Sequence, residues 1–123
     1  SKELREKNSY LDFISDQIEK NIPQNLEIEE LLIAYEPIWS IGTGLVPSLE
    51  QISEMVEFIK NKISTNQHIK IKKYHLLYGG SVNKDNATEI LAIKNIDGLL
   101  VGGASLKAEE FFEIVKSAAK NIT

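Results

Sequence analysis

The sequence contains no cysteine, which removes disulfides, thiolate metal ligands and cysteine nucleophiles from consideration and fits a reducing cytoplasm. It also lacks any apolar run near the roughly 20 residues that span a bilayer, and its first residues, SKELREKNSY, are polar rather than signal-like. Excess positive charge is missing as well: 14 Lys and Arg stand against 18 Asp and Glu, a net charge of −4. Neither nucleic acid nor an anionic membrane is therefore an electrostatically favoured partner. The local exception, Lys60, Lys62, Lys70, Lys72 and Lys73, has no aromatic residue interleaved to stack bases, and reads as a solvated helix end and turn. Two histidines remain. His68 falls in a polar turn and His75 at the start of an expected strand, and neither has metal-site spacing, so no metal or cofactor is expected. Repeats, low-complexity tracts and flexible linkers are absent. What remains is a chain of 123 residues, 42% hydrophobic and 26% charged, the composition of an ordinary globular domain. It does not begin with Met, and the expectation is of a piece of something longer.

Three short apolar runs, LLIAYE (31–36), YHLLYGG (74–80) and DGLLVGG (97–103), stand out. None alternates polar with apolar, so each reads as a strand covered on both faces, as in a parallel sheet. Helical stripes lie between them. Leu4, Leu11, Ile14 and Ile18 mark a first helix that stops near Asn21 to Pro23. Ile52, Met55, Val56, Ile59 and Ile63 mark a second, opened by a capping box between Ser48 and Gln51. A short third helix, opening near Asn83 or Asp85, turns Ala87, Ile90 and Leu91 inward, and a fourth, from about 108 to 120, carries Phe111, Val115 and Ala118 on one face. Strands alternating with helices predict an α/β fold with a parallel sheet and right-handed crossovers. Three parallel strands leave two naked edges that something must cover. A (βα)8 barrel takes about 250 residues, so a partial barrel over residues 1–123 is the expected domain.

Chemistry in parallel sheets gathers beyond the carboxyl ends of the strands. Here those ends read Glu36-Pro37, Gly79-Gly80-Ser81 and Gly102-Gly103-Ala104-Ser105. A glycine pair permits unusual backbone angles and lets a ligand approach the peptide N–H groups. Followed by a helix start, it presents donors to an anion. Two such turns on strands about 4.8 Å apart converge on one ligand-sized spot, with phosphate the natural guest. Alone, a strand-end glutamate is ordinarily a solvated loop residue. Beside a phosphate pocket Glu36 becomes a candidate general base, aimed by the proline that holds it extended. The segment 38–47, with Ile38, Trp39 and Ile41 apolar and Gly42 and Gly44 around Thr43, is too apolar for a solvated loop and reads as a lid that excludes water.

AYEPIWSIGTG (34–44), YGGSV (78–82) and LLVGGASL (99–106), in this order and spacing, resemble the triosephosphate isomerase family. The resemblance covers essentially the whole chain, since SKELREK looks like the stretch after that family's fifth strand. It implies the carboxyl-terminal half of a TIM barrel, with strands six to eight and helices five to eight. By that resemblance Glu36 is the base that moves a proton between adjacent carbons of dihydroxyacetone phosphate and glyceraldehyde 3-phosphate. Gly42, Ser81, Gly102 and Gly103 match phosphate-holding positions, and Pro37 to Pro47, including Ile38, Trp39, Ile41, Thr43 and Gly44, match the mobile lid. It also implies an amino-terminal half as partner, carrying a lysine, an asparagine and an electrophilic histidine, together with homodimerisation and a role in glycolysis and gluconeogenesis. Leu45-Val46-Pro47 departs from the Lys-Thr-Ala of many members. The family's hydrogen bond from the tyrosine at position 78 to the lid's last N–H then has no donor, because proline carries none. Two alternatives stand beside this reading: a non-catalytic half-barrel that binds phosphate or assembles with a partner, and another phosphosugar enzyme of barrel fold.

Overall fold

The computed structural model describes residues 2–37 and 46–122. The elements run α1 (Lys2–Asn21), β1 (Glu27–Tyr35), α2 (Leu49–Thr65), β2 (Lys70–Tyr78), α3 (Ala87–Leu91), β3 (Gly98–Leu99), a 3-10 turn (Gly103–Leu106) and α4 (Ala108–Ile122). The strands form one parallel sheet in the order β1-β2-β3.

Local chemistry fixes the helices. Ser48 Oγ accepts from the Gln51 nitrogen at 3.1 Å while Gln51 Oε1 accepts from the Ser48 nitrogen at 2.9 Å, so two of the orphan donors at the start of α2 are satisfied reciprocally. The expected stripe of α2, Ile52, Met55, Val56, Ile59 and Ile63, is buried. It meets Ile14 and Ile18 of α1, Tyr35, Leu76 and Tyr78 of the sheet, Ala87 and Ile90 of α3 and Ile114 of α4 in one core. Lys7 of α1 and Glu54 of α2 pair at 2.7 Å on the surface. No helix among the described residues is long and apolar enough to cross a membrane.

The sheet differs from the expected one in three ways. Among the described residues its strands are covered on one face only. Leu31, Ile33 and Tyr35 turn toward the helices, whereas Leu32 on the opposite face is 65% exposed. The first two strands begin earlier than their apolar runs, at Glu27 and Lys70, and the third is paired only over Gly98–Leu99. The reason lies across the ladder, where Lys72 reaches Glu29 at 2.7 Å and Lys73 reaches Glu30 at 3.8 Å. Opposite charges side by side on neighbouring strands support pairing that neither strand's own sequence suggests. Lys70, Lys72 and Lys73 thus belong to a strand, not to a helix end and turn, and His75 is the sixth of nine residues in β2 rather than near its start.

On α4 the apolar face of Phe111, Val115 and Ala118 is only partly covered. Ile114 is buried, while Phe111 is 40% exposed and Val115 is also exposed. Helix α4 packs toward α3, with Thr88 Oγ1 donating to Ser117 Oγ at 3.0 Å. The sheet stops at β3 among the described residues, and Phe111 and Val115 remain partly exposed.

Candidate functional site at the carboxyl ends of the strands

Tyr35, Tyr78 and Leu99 are register partners across the three strands. The ladder runs one step further at each junction: the Gly79 nitrogen donates to the Tyr35 carbonyl at 2.8 Å, and the Leu100 nitrogen donates to the Tyr78 carbonyl at 2.9 Å. Glu36, Gly79 and Leu100 therefore stand abreast at the first position beyond the paired strands. An ideal Cβ built on Gly79 would come within 2.9 Å of Glu36 Cγ and 3.4 Å of Oε1, so the glutamate side chain lies directly against the end of β2. Glu36 is exposed and the following Pro37 buried. The backbone is anchored just where the carboxylate leaves it.

Ser81 and Gly102 each lie three residues beyond the paired Tyr78 and Leu99, which brings both glycine turns to one rim. Asparagines shape the first turn. Asn86 Nδ2 donates to the Ser81 carbonyl at 3.0 Å, Asn86 Oδ1 accepts from the Asn83 nitrogen at 2.8 Å, and Asn83 Oδ1 accepts from the nitrogens of Asp85 and Asn86 at 2.8 and 3.0 Å. The second turn is closed by Ser105, whose nitrogen and hydroxyl donate to the Gly102 carbonyl at 2.9 and 2.6 Å. Gly102 and Gly103 are exposed, and a Cβ on either would meet no other atom within 4 Å. Glycine there leaves the backbone open to approach. None of the five described glycines adopts a positive φ, and the left-handed residues are Asn25 and Asn95, at φ 60° and 74°.

Tyr78 is fully buried beneath this rim, and its hydroxyl has no hydrogen-bond partner among the described residues. Burial pushes the phenol pKa above its ordinary value, since the charged form would lose its water. The hydroxyl fills the space that a Cβ on Gly80 would occupy, and Pro37 Cδ closes the same space from the other side at 3.0 Å. Pro47 is buried and Val46 exposed. The remaining lid candidates, Ile38, Trp39, Ile41, Gly42, Thr43 and Gly44, lie outside the described residues.

A second polar group, which composition and spacing did not reveal, occupies the open face of the sheet. His75 Nε2 and Glu30 Oε1 are 2.9 Å apart, and with Leu32, Leu77 and Asp97 they line a shallow cleft. His75 thus pairs with a carboxylate well below the strand ends. Among the described residues no group of three or more His, Asp and Glu side chains is arranged to hold a metal ion.

Parallel strands with helices on one face, an open opposite face among the described residues and a carboxylate beside two glycine turns at the strand ends fit a segment of a β/α barrel. Residues 1–118 match the family model described as triosephosphate isomerase. The chain is 44% identical over 111 residues to the triosephosphate isomerase of Jannaschia sp. (strain CCS1), covering 90% of this chain and 45% of that protein. It is 49% identical over 105 residues to that of Francisella tularensis subsp. mediasiatica, covering 83% and 42%. The crystal structure of triosephosphate isomerase from Bartonella henselae superimposes with a TM-score of 0.74 at 36% identity, over 95% of this chain and 47% of that one. The chain belongs to the triosephosphate isomerase family. It spans about half the length of the curated relatives it matches and corresponds to their carboxyl-terminal half.

Proposed function

We propose that this chain supplies the proton-transfer and phosphate-binding rim of a triosephosphate isomerase, which interconverts dihydroxyacetone phosphate and glyceraldehyde 3-phosphate through an enediolate. Glu36 is the base. It takes a proton from one carbon of the bound triose and returns it to the neighbouring carbon, so the carboxylate ends each cycle as it began. Ser81, Gly102 and Gly103, with Gly42, receive the phosphate through backbone N–H groups and a hydroxyl. Pro37 to Pro47, with Tyr78 beneath, form a lid that keeps water from the enediolate, which would otherwise expel its phosphate. The observation that carries this reading is the level arrangement of Glu36, Gly79 and Leu100, with both glycine turns just above.

The reaction needs an electrophile for the developing oxyanion, and losing one such donor typically costs about 10²- to 10³-fold in rate. The chain therefore acts with the amino-terminal half of the same enzyme, which completes the barrel, and the complete protein works as a homodimer in the cytoplasm. It needs no cofactor and engages neither nucleic acid nor membrane. The test is a triose phosphate isomerisation assay on the complete enzyme with Glu36→Asp. Withdrawing the carboxylate by about 1 Å should lower kcat by about 10²-fold, with little change in the affinity for a phosphate-bearing analogue. An unchanged kcat removes Glu36 from the role of base.

A further inference from the structure

We propose that Gly79 is the positioning residue for the Glu36 carboxylate: the missing side chain at 79 leaves the space in which that carboxylate is held over the end of β2. This deepens the reading of Glu36 as base and rests on it. A Cβ at position 79 would stand 2.9 Å from Glu36 Cγ, closer than such atoms approach, and 3.4 Å from Oε1, with Leu100 Cδ2 at 3.5 Å on another side.

The neighbours have little freedom to make room. The Gly79 nitrogen is bonded to the Tyr35 carbonyl, and the Leu100 nitrogen to the Tyr78 carbonyl, at 2.8 and 2.9 Å. The exposed Glu36 side chain is the element that can yield, and when it turns away the carboxylate goes with it. Gly79 does not adopt a positive φ, and the Glu36 side chain is the nearest obstacle that a Cβ would meet. The glycines of this rim are therefore not equivalent. Gly102 and Gly103 meet nothing, Gly80 makes room for the Tyr78 hydroxyl, and Gly79 makes room for Glu36.

The experiment introduces Gly79→Ala into the complete enzyme, alone and together with Glu36→Ala, and measures kcat, KM for the triose phosphates and the urea midpoint. Alone, Gly79→Ala should lower kcat about 10- to 100-fold, the range for a reacting group misplaced by about an ångström. KM should stay within about threefold, since the phosphate turns are untouched. On the Glu36→Ala background it should change kcat less than about twofold, because residues acting through one another are non-additive. Any loss of stability from Gly79→Ala should disappear on that background, where Cγ is gone.

Three results overturn the proposal while leaving Glu36 as base: an unchanged kcat for Gly79→Ala when Glu36→Ala is inactive, a raised KM at unchanged kcat, or an equal loss of kcat or stability on the Glu36→Ala background. Full activity of Glu36→Ala instead removes the base reading itself, and the positioning role with it.

Discussion

The Asp97 carboxylate accepts a hydrogen bond from the Leu76 nitrogen at 2.8 Å, while the Asp97 nitrogen donates to the Leu76 carbonyl, also at 2.8 Å. One residue thereby closes both backbone valences of Leu76 and starts the third strand, whose regular pairing covers only Gly98 and Leu99. The side chain does the work of a missing strand residue.

Removing that acceptor should loosen β3. Asp97→Ala leaves the Leu76 N–H without a partner next to the core, where such a donor typically costs about 1–3 kcal/mol. Asp97→Asn keeps a carbonyl oxygen in place and should cost less than half as much. Urea denaturation of the two variants checks the order, and hydrogen exchange at Leu76 should speed up in the alanine variant alone.

A side chain should cost stability at Gly80 but not at Gly103. At position 80 a Cβ meets the Tyr78 hydroxyl and Pro37, whereas at 103 it meets nothing among the described residues. Gly80→Ala should destabilise by about 1–3 kcal/mol, the usual range for overpacking, and Gly103→Ala should leave the urea midpoint unchanged. Tyr78→Phe removes a buried hydroxyl without a partner among the described residues. It should be neutral or stabilising on its own and should recover most of the Gly80→Ala loss. A double-mutant cycle in urea gives the coupling directly.

Glu30 gives a pH dependence whose sign follows from its partners. The hydrogen bond from His75, then the charge of Lys73, hold its carboxyl below the ordinary value of 4.5. A carboxyl that is more acidic in the folded state contributes stability above its unfolded pKa and loses it as pH falls through the folded value. Glu30 is exposed, so solvent screens the effect and the contribution is small. Unfolding by urea from pH 7 down to pH 3 should show Glu30→Gln losing less stability than the parent on acidification, with the two curves converging in acid.

These interactions also mark where reading the sequence succeeds and where it stops. The α2 stripe and the Ser48 and Gln51 box were legible because both are local, fixed by residues three and four apart. The strand ends were legible because Glu36-Pro37 and the two glycine pairs interrupt apolar runs. The starts of β1 and β2 were not, since Glu27, Glu29 and Glu30 read as a polar loop until Lys70, Lys72 and Lys73 stand opposite them. Asp97 and Asn86 are ordinary polar residues in sequence, and their roles exist only once Leu76 and Ser81 are brought close. On α4 the apolar residues mark a shared face, whereas the burial of Ile114 rather than Phe111 appears only in the folded chain. The glycine pairs do lie at the strand ends, but none of the described glycines adopts the positive φ that the sequence suggested for them.

The open face yields the last prediction. Leu32 and Leu100, 65% and 46% exposed, lie on or beside the face that the helices leave bare, and β1 and β3 each present an unpaired edge in the three-stranded sheet. Phe111 and Val115 extend the exposed apolar surface along α4. Unpaired edges beside apolar side chains are templates for association. The 123-residue chain on its own should therefore sediment at micromolar concentration as a dimer or larger species. Adding the amino-terminal half of the enzyme should convert it to a one-to-one complex, because strands laid on both edges satisfy the backbone groups and bury the same leucines. Leu32→Lys combined with Leu100→Lys should shift the isolated chain toward monomer and weaken the one-to-one complex in parallel, since one surface serves both associations. A compact, soluble monomer of the parent chain under these conditions would show that the bare face is stable in water and needs no cover.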